Sequence, residues 1–434
     1  MPTYLAPDIY VEEIPSGTRP IEAVGTSTAG FVGAAPNPQA HLTEAYPINN
    51  WTEFVREFCT ARANNQDKLL PSTNLSQAVY GYFLNGGTRC FIANVPAGQS
   101  IAGSAGAKTG LDLLEQVDEI AIVCAPGYTD AASYDAVIAH CETLKDRVGI
   151  LDAPRDVDST KISALKIVAQ PPSTPAPGGS GGSGGSGSGG GSTASGGQSQ
   201  GLKPRQSDGG YAAFYFPWIQ VRDPLPPASP APNADVSSAL VLVPPSGHIA
   251  GVWARTDAMR GVHKAPANEP VRGALKLAYP LTRTEQGELN SAGVNCIRTF
   301  PREGIRVWGA RTLAASASEW RYLNVRRLFN MIEESIALNT RWIVFEPNDM
   351  TLWKSIRRDI SAFLMRMWRD GALMGATPAQ AFFVKCDAET NPPDVIDAGQ
   401  VVAIIGIAPV KPAEFVVFRI SQYAGGVETE NLGA

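Results

Sequence analysis

VNCIRTFPREGIRVWGA, residues 294–310, places two β-prone runs, Val294–Arg298 and Ile305–Ala310, on either side of a turn that carries Pro301 and Gly304. Downstream, Ser316 stands three residues before Glu319, the spacing of a capping box. Tyr322, Val325, Phe329, Ile332 and Ile336 then recur at steps of three and four, which predicts a helix with one buried stripe. Arg341–Glu346 reads as a buried strand stopped by Pro347. Asn348 or Asp349 can cap a second long helix, with a stripe of Trp353, Ile356, Ile360, Phe363 and Met367 and a stop at Gly371. Strand, helix, strand, helix in this order predicts an α/β fold in which both helices bury a face against a sheet.

The upstream chain repeats the pattern. Gly30–Gly33, Cys90–Val95, Ile120–Cys124 and Val148–Asp152 are short apolar runs of the kind buried in parallel sheets, and Trp51–Cys59, Leu75–Leu84 and Ser133–Lys145 are helical stretches between them. Residues 171–201 form a Pro-rich lead into a Gly/Ser tract, a composition that buries too little apolar surface to offset ordering entropy, so a solvent-facing loop is expected there. Tyr211–Ile219 reads as an aromatic strand. Near the C-terminus Phe382–Cys386, Val401–Ala408 and Phe415–Gln422 are three further strand candidates; the last carries apolar groups on both faces and should be sandwiched. At the other end, Ile9–Ile14 is a β-prone segment bounded by Pro7 and Pro15, too short to make a core, so as a strand it must borrow a sheet.

With 434 residues the chain can bury a sizeable core, and its net charge of −5 gives no reason to expect general nucleic-acid binding. The six cysteines form no CxxC pair, which argues against a zinc site or a redox motif and for reduced core residues. No run approaches the length of a membrane span and the first residues do not resemble a secretory signal, so direct membrane insertion is not expected and folding in the cytoplasm is.

Candidate catalytic patterns are weak. The Gly/Ser tract matches GxSxG at 178–182 and GxGxxG at 185–190, but without the strand-to-helix context that gives either meaning. Gly106-Ala107-Lys108-Thr109 resembles the end of a phosphate loop, yet Ala102 and Ala107 stand where its glycines belong, so a solvated loop is the better reading. Ser246 and His248, with Asp257, could be imagined as a triad, but Ser246-Gly247-His248 reads more simply as a turn. The pairs Glu12/Glu13 and Glu333/Glu334 splay at adjacent positions. No catalytic, cofactor or metal site is therefore assigned. The second long helix differs: Lys354, Arg357, Arg358, Arg366 and Arg369 give an acidic protein a basic face, suited to an acidic protein surface.

Three stretches together carry a resemblance: YVEEIPSG at 10–17 followed by Arg19-Pro20-Ile21, PPSGHIAGVWARTD at 244–257 with GVHKAPAN at 261–268, and the run from Gly293 to Ile420. They closely resemble contractile tail sheath proteins, as does GGTRCF at 86–91. The middle of the chain matches that family in architecture more than in motif. The resemblance implies a structural subunit, not an enzyme, that stacks as hexameric rings around an inner tube and contracts to drive the tube through a target envelope. It implies a linking arm at 1–25, the first part of the core at 26–100, an outward-facing domain at 101–243, a C-terminal sheath domain at 244–422 and a tail at 423–434. In such proteins terminal arms complete small sheets in neighbouring subunits by β-augmentation. That would make Ile9, Tyr10, Val11, Glu12, Glu13 and Ile14 a donated strand and Phe415, Val416, Val417, Phe418, Arg419, Ile420 and Ser421 a second linking strand. Lys354, Arg357 and Arg358 become the expected inner-tube contact. The implied partners are further copies of the chain, the inner tube, and baseplate and terminal cap proteins, in a virion tail, a released particle or an intracellular machine. The readings weighed against this are an α/β hydrolase or transferase, and a non-contractile tube or receptor-binding module.

Overall fold

The computed structural model describes residues 20–63, 66–103, 106, 108–170, 201–225 and 240–417. The first half holds β1 (Ala29–Gly33), β2 (Tyr46–Ile48), α1 (Trp51–Phe58), β3 (Thr60–Ala63), β4 (Gln66–Leu69), α2 (Asn74–Asn85) and β5 (Cys90–Asn94). It continues with α3 (Leu111–Leu114), β6 (Ile122–Cys124), α4 (Ala131–Leu144), β7 (Val148–Asp152), β8 (Ala212–Phe216), β9 (Ile219–Arg222) and β10 (Leu240–Val243). Then come α5 (Ser246–Arg260), β11 (Glu269–Pro270), β12 (Lys276–Leu277), α6 (Arg283–Ser291), β13 (Val294–Phe300) and β14 (Gly304–Trp308). The last part is α7 (Leu323–Asn339), α8 (Met350–Arg369), α9 (Pro378–Ala381), β15 (Phe382–Lys385), α10 (Pro393–Asp397) and β16 (Ile404–Ile407).

Nine strands share one sheet in the order β11-β14-β13-β8-β7-β6-β1-β5-β2. Its middle, from β13 to β5, is parallel throughout, and β2, β14 and β11 close the margins in antiparallel sense. Every residue of β1, β5, β7 and β8 is buried, which is why these strands read as continuous apolar runs. Strands from 26–100, 101–243 and 244–422 therefore lie side by side in a single sheet. One face is covered by α2 and α5, with Tyr82, Ile249 and Trp253 in the core; α3 and α4 cover the other with Leu114, Tyr134 and Ile138.

The glycines of the 244–257 stretch have a steric reason. A Cβ on Gly247 would sit 2.2 Å from the Ala78 carbonyl oxygen, and one on Gly251 would sit 2.4 Å from that of Tyr82. Helices α2 and α5 thus meet backbone to backbone, and any side chain at either glycine drives them apart.

The C-terminal part packs a second core. Trp353, Ile356, Ile360, Phe363 and Met367 of α8 are all buried, against Leu328, Met331 and Ile332 of α7 and against β15 and its flanks. Asp349 is the N-cap of α8, accepting from the Thr351 and Leu352 amides at 2.9 and 2.8 Å, and Gly371 follows the helix at φ +78°. Two local expectations are corrected. Arg341–Glu346 is no strand: Arg341–Ile343 form a 3₁₀ turn, and Phe345 at φ +70° is fully exposed. A four-residue apolar run does not discriminate a strand from a connector that buries only part of it, and here the adjacent Trp342 and Ile343 tuck against the core while Val344 and Phe345 face out. Nor do Ser316 and Glu319 make a capping box. Ser318 caps the short turn Glu319–Arg321, α7 begins later at Leu323 with no side-chain cap, and genuine capping boxes occur at Thr73/Ser76 and Thr282/Glu285. Helix α8 buries its face against the small β15–β16 sheet and α7, and not against the nine-stranded sheet.

Candidate assembly surfaces

Both ends of the described chain are pinned before they leave the fold. At the N-terminal end Ile21 is buried against α7 and α8, and its carbonyl accepts from the Arg366 guanidinium. The Val24 amide donates to Ser335 Oγ at 3.0 Å, and Asn339 Nδ2 donates to the Glu22 carbonyl at 3.0 Å. Arg327 then closes the root: it donates to Asp257 Oδ1 and Oδ2 at 3.0 and 2.6 Å and to the Thr26 carbonyl at 3.0 Å, while its guanidinium lies 4.8 Å from the centre of the Trp253 ring. Thr26 Oγ1 donates to the same Asp257 at 2.6 Å. The paired guanidinium and carboxylate are both nearly inaccessible, a fork geometry that only arginine supplies.

At the C-terminal end the chain leaves β16 and returns to the main sheet, where Glu414 is held by four side chains. Arg311 donates Nε and Nη2 to its two carboxylate oxygens at 2.8 Å each, and Asn290 Nδ2 donates at 2.7 Å. Arg321 Nη2 and the Tyr322 hydroxyl add bonds of 3.3 and 3.2 Å. Burial pushes the Glu414 carboxyl up, but the bonds from Arg311 and Asn290 outweigh it and leave the group below its ordinary range.

Between these roots lies the sheet β15–β16, antiparallel with Phe382 opposite Ile407 and Lys385 opposite Ile404. No third strand joins it among the described residues, and Phe383 and Ile404 are about half exposed. A two-stranded sheet of four residues a side is marginal alone, and its outer edges offer unpaired backbone groups. Phe415–Val417, the last described residues, form no ladder with other described residues and are exposed by 68–77%. The strand candidate Ile9–Ile14, the pair Glu12/Glu13 and Phe418–Ser421 lie outside the described residues. So do both accidental motifs in the Gly/Ser tract.

Lys354, Arg357 and Arg358 are all exposed on one side of α8. Arg358 also bonds Asp359 through Nε at 3.0 Å, which ties it to its own helix.

The imagined triad does not form. The Ser246 hydroxyl is fully buried and donates to Asp152 Oδ2 at 2.7 Å, while the Ser246 amide donates to Oδ1 at 2.8 Å. Burial raises the Asp152 carboxyl to about 7. His248 lies in the close α2–α5 contact against Gly81, where burial lowers it to about 4, and Asp257 belongs to Arg327. The six cysteines are free and buried. Among the described residues no group of three His, Cys, Asp or Glu side chains is placed to hold a metal, and no helix is long and apolar enough to cross a membrane.

Sequence reasoning passed over Glu414 and the Arg327–Asp257 pair. The signal for Arg327 was present: Arg326 and Arg327 interrupt an apolar helix, and Arg326 is itself buried with its guanidinium 4.1 Å from the Trp320 ring centre. Glu414 had no comparable sign, since its partners are 92 to 124 positions away.

Residues 206–313 match the phage tail sheath protein central domain, and residues 315–422 the phage tail sheath C-terminal domain. The tail sheath protein of Vibrio phage KVP40 is 32% identical over 180 residues, which is 41% of this chain and 26% of that protein. The chain thus aligns with about a quarter of that relative's length. Two cryo-EM structures align along nearly the whole chain. The sheath of an extracellular contractile injection system, PVC, in the contracted state is 26% identical with a TM-score of 0.72, covering 98% of this chain and 99% of that one. The helical sheath of the anti-feeding prophage, also contracted, is 28% identical with a TM-score of 0.69, covering 97% and 100%. With the α/β core, the two pinned roots and the small open-edged sheet, these matches lead to one conclusion: the chain belongs to the contractile tail sheath family.

Proposed function

We propose that the protein polymerises as stacked hexameric rings around an inner tube and contracts to drive that tube through a target envelope. The observation that carries this reading is the β15–β16 sheet, whose outer edges no described strand of the subunit pairs and which are therefore open to strands from neighbours. Ile9–Ile14 of one neighbour and Phe415–Ser421 of another are the strands that fit. Seven residue steps lead from Ile14 to Ile21, a reach of about 23 Å when extended, enough to cross to an adjacent subunit. Main-chain hydrogen bonds then form a tether that survives while compact domains slide and repack, and contraction needs no nucleotide at firing. Lys354, Arg357 and Arg358 offer the inner tube a basic strip, complementary to an acidic tube wall. Baseplate and cap proteins bound the stack; nucleic acid and membrane are not contacted, and assembly takes place in the bacterial cytoplasm. Any outward-facing part of 101–243 lies outside β6, β7 and β8, which run through the middle of the sheet. The buried Ser246 and the unpartnered ring of His248 favour this reading over a hydrolase.

Negative-stain electron microscopy of the protein, expressed alone and with its tube partner, tests the proposal. Hollow ridged cylinders, longer and narrower when the tube is present, are expected. Monomers or small closed oligomers under both conditions would overturn it.

A further inference from the structure

We propose that Glu414 is a positioning residue for assembly: locked by Arg311, it fixes where the C-terminal linking strand starts, so that a second copy of this chain receives that strand in one register. The inference rests on the sheath reading above and deepens it. Arg311 is an unusually rigid partner. Its amide donates to Asn295 Oδ1 at 2.7 Å, its carbonyl accepts from Asn295 Nδ2 at 2.7 Å, and its Nη1 donates to the Asn290 carbonyl at 2.7 Å. Asn295 lies in β13 and is fully buried. Load on the outgoing strand therefore passes from Glu414 through Arg311 into the parallel sheet, and not into the β15–β16 unit from which the chain has just come. The N-terminal root is tied differently, to α7, α8 and Asp257.

The lock matters because of where it sits. From Phe415, one residue beyond it, every described residue is exposed. The preceding fixed point is Val410, whose amide donates to the Ala372 carbonyl at 3.3 Å and whose carbonyl accepts from Asn324 Nδ2 at 2.9 Å. Releasing Glu414 moves the tether's origin back by four residues and lengthens its free part by about 13 Å. A strand must match its acceptor within one residue step of about 3.3 Å, since a slip of one residue exchanges its two faces. A bidentate arginine pair supplies the directional hold that a single-point lysine contact would not.

The test uses the full chain, read by pelleting and electron microscopy of polymer. Glu414→Gln is expected to keep the circular dichroism spectrum and raise the concentration needed for polymer at least tenfold. Two insertions test the positioning independently of that variant. Gly-Ser inserted between Lys411 and Pro412, upstream of an intact lock, should be absorbed and leave polymer yield within twofold of wild type. The same insertion between Glu414 and Phe415 should reduce it at least tenfold. Equal yields from the two insertions, or Glu414→Gln polymer at the wild-type concentration, would overturn the positioning role. Absence of polymer from the wild-type chain would instead overturn the sheath reading on which the role rests.

Discussion

Replacing Asp257 with Ala should be among the most damaging substitutions outside the apolar cores. The carboxylate faces Arg327 through two bonds of 3.0 and 2.6 Å, and the side chains of the pair are only 6% and 3% exposed. Removing it leaves a buried guanidinium without its carboxylate partner, holding the Thr26 carbonyl and the Trp253 ring, and Thr26 Oγ1 also loses its acceptor. Breaking a buried pair in this way costs about 3–5 kcal/mol. The double variant Asp257→Leu/Arg327→Met removes both charges together and should cost less than the sum of the two single changes by about 1–3 kcal/mol. Urea denaturation followed by tryptophan emission is the suitable assay, because Trp253 lies directly under the guanidinium. Raising salt should not reproduce the loss, since a buried pair is little screened. A loss below about 1 kcal/mol for Asp257→Ala, or additive single variants, would refute the reasoning.

Other outcomes follow from the same geometry. Gly251→Ala should cost about 1–3 kcal/mol or more by forcing α2 from α5, whereas Gly287→Ala, within α6 and with nothing near its Cβ, should stabilise by about 0.5–1 kcal/mol; melting curves of the pair separate the two effects. Asp152, at about 7 in the fold and about 4 when unfolded, binds its proton more tightly in the native state, so its contribution falls as pH rises between those values. His248 at about 4 acts in the opposite sense up to about 6.5, so the Asp152 effect is read as the stability gap between wild type and Asp152→Asn, which should narrow with rising pH and be flat above 7. Deleting residues 1–15 should leave a folded subunit that forms no sheath, checked by circular dichroism and microscopy. Lys354→Glu/Arg357→Glu should weaken co-assembly with the tube while sparing the fold; Arg358 is left in place because it bonds Asp359.

The parallel strands were readable because each is buried on both faces, which compresses them into apolar runs such as Ile122–Cys124 and Val148–Asp152. Helix α8 was readable for a different reason, a single wet face that leaves a clean stripe behind the Asp349 cap. What escaped was long-range. Nothing local in Val294–Phe300 tells it to lie beside Ala212–Phe216, and nothing in Glu414 names Arg311. Arg341–Glu346 misled because its apolar residues serve two environments at once. Of the candidate assembly surfaces, the Pro-bounded Ile9–Ile14 segment raised only the expectation of a borrowed sheet, and the open sheet β15–β16 emerged once its two strands, 19 to 25 positions apart, were seen paired.

The central claim is that neighbouring subunits complete that small sheet. A cryo-EM map of the assembled polymer tests it most directly, at the outer edges of Phe382–Lys385 and Ile404–Ile407. Added strands are expected there, with side chains of Ile9–Ile14 from one neighbour and Phe415–Ser421 from another. An ordered cylinder whose β15–β16 edges stand bare would contradict it.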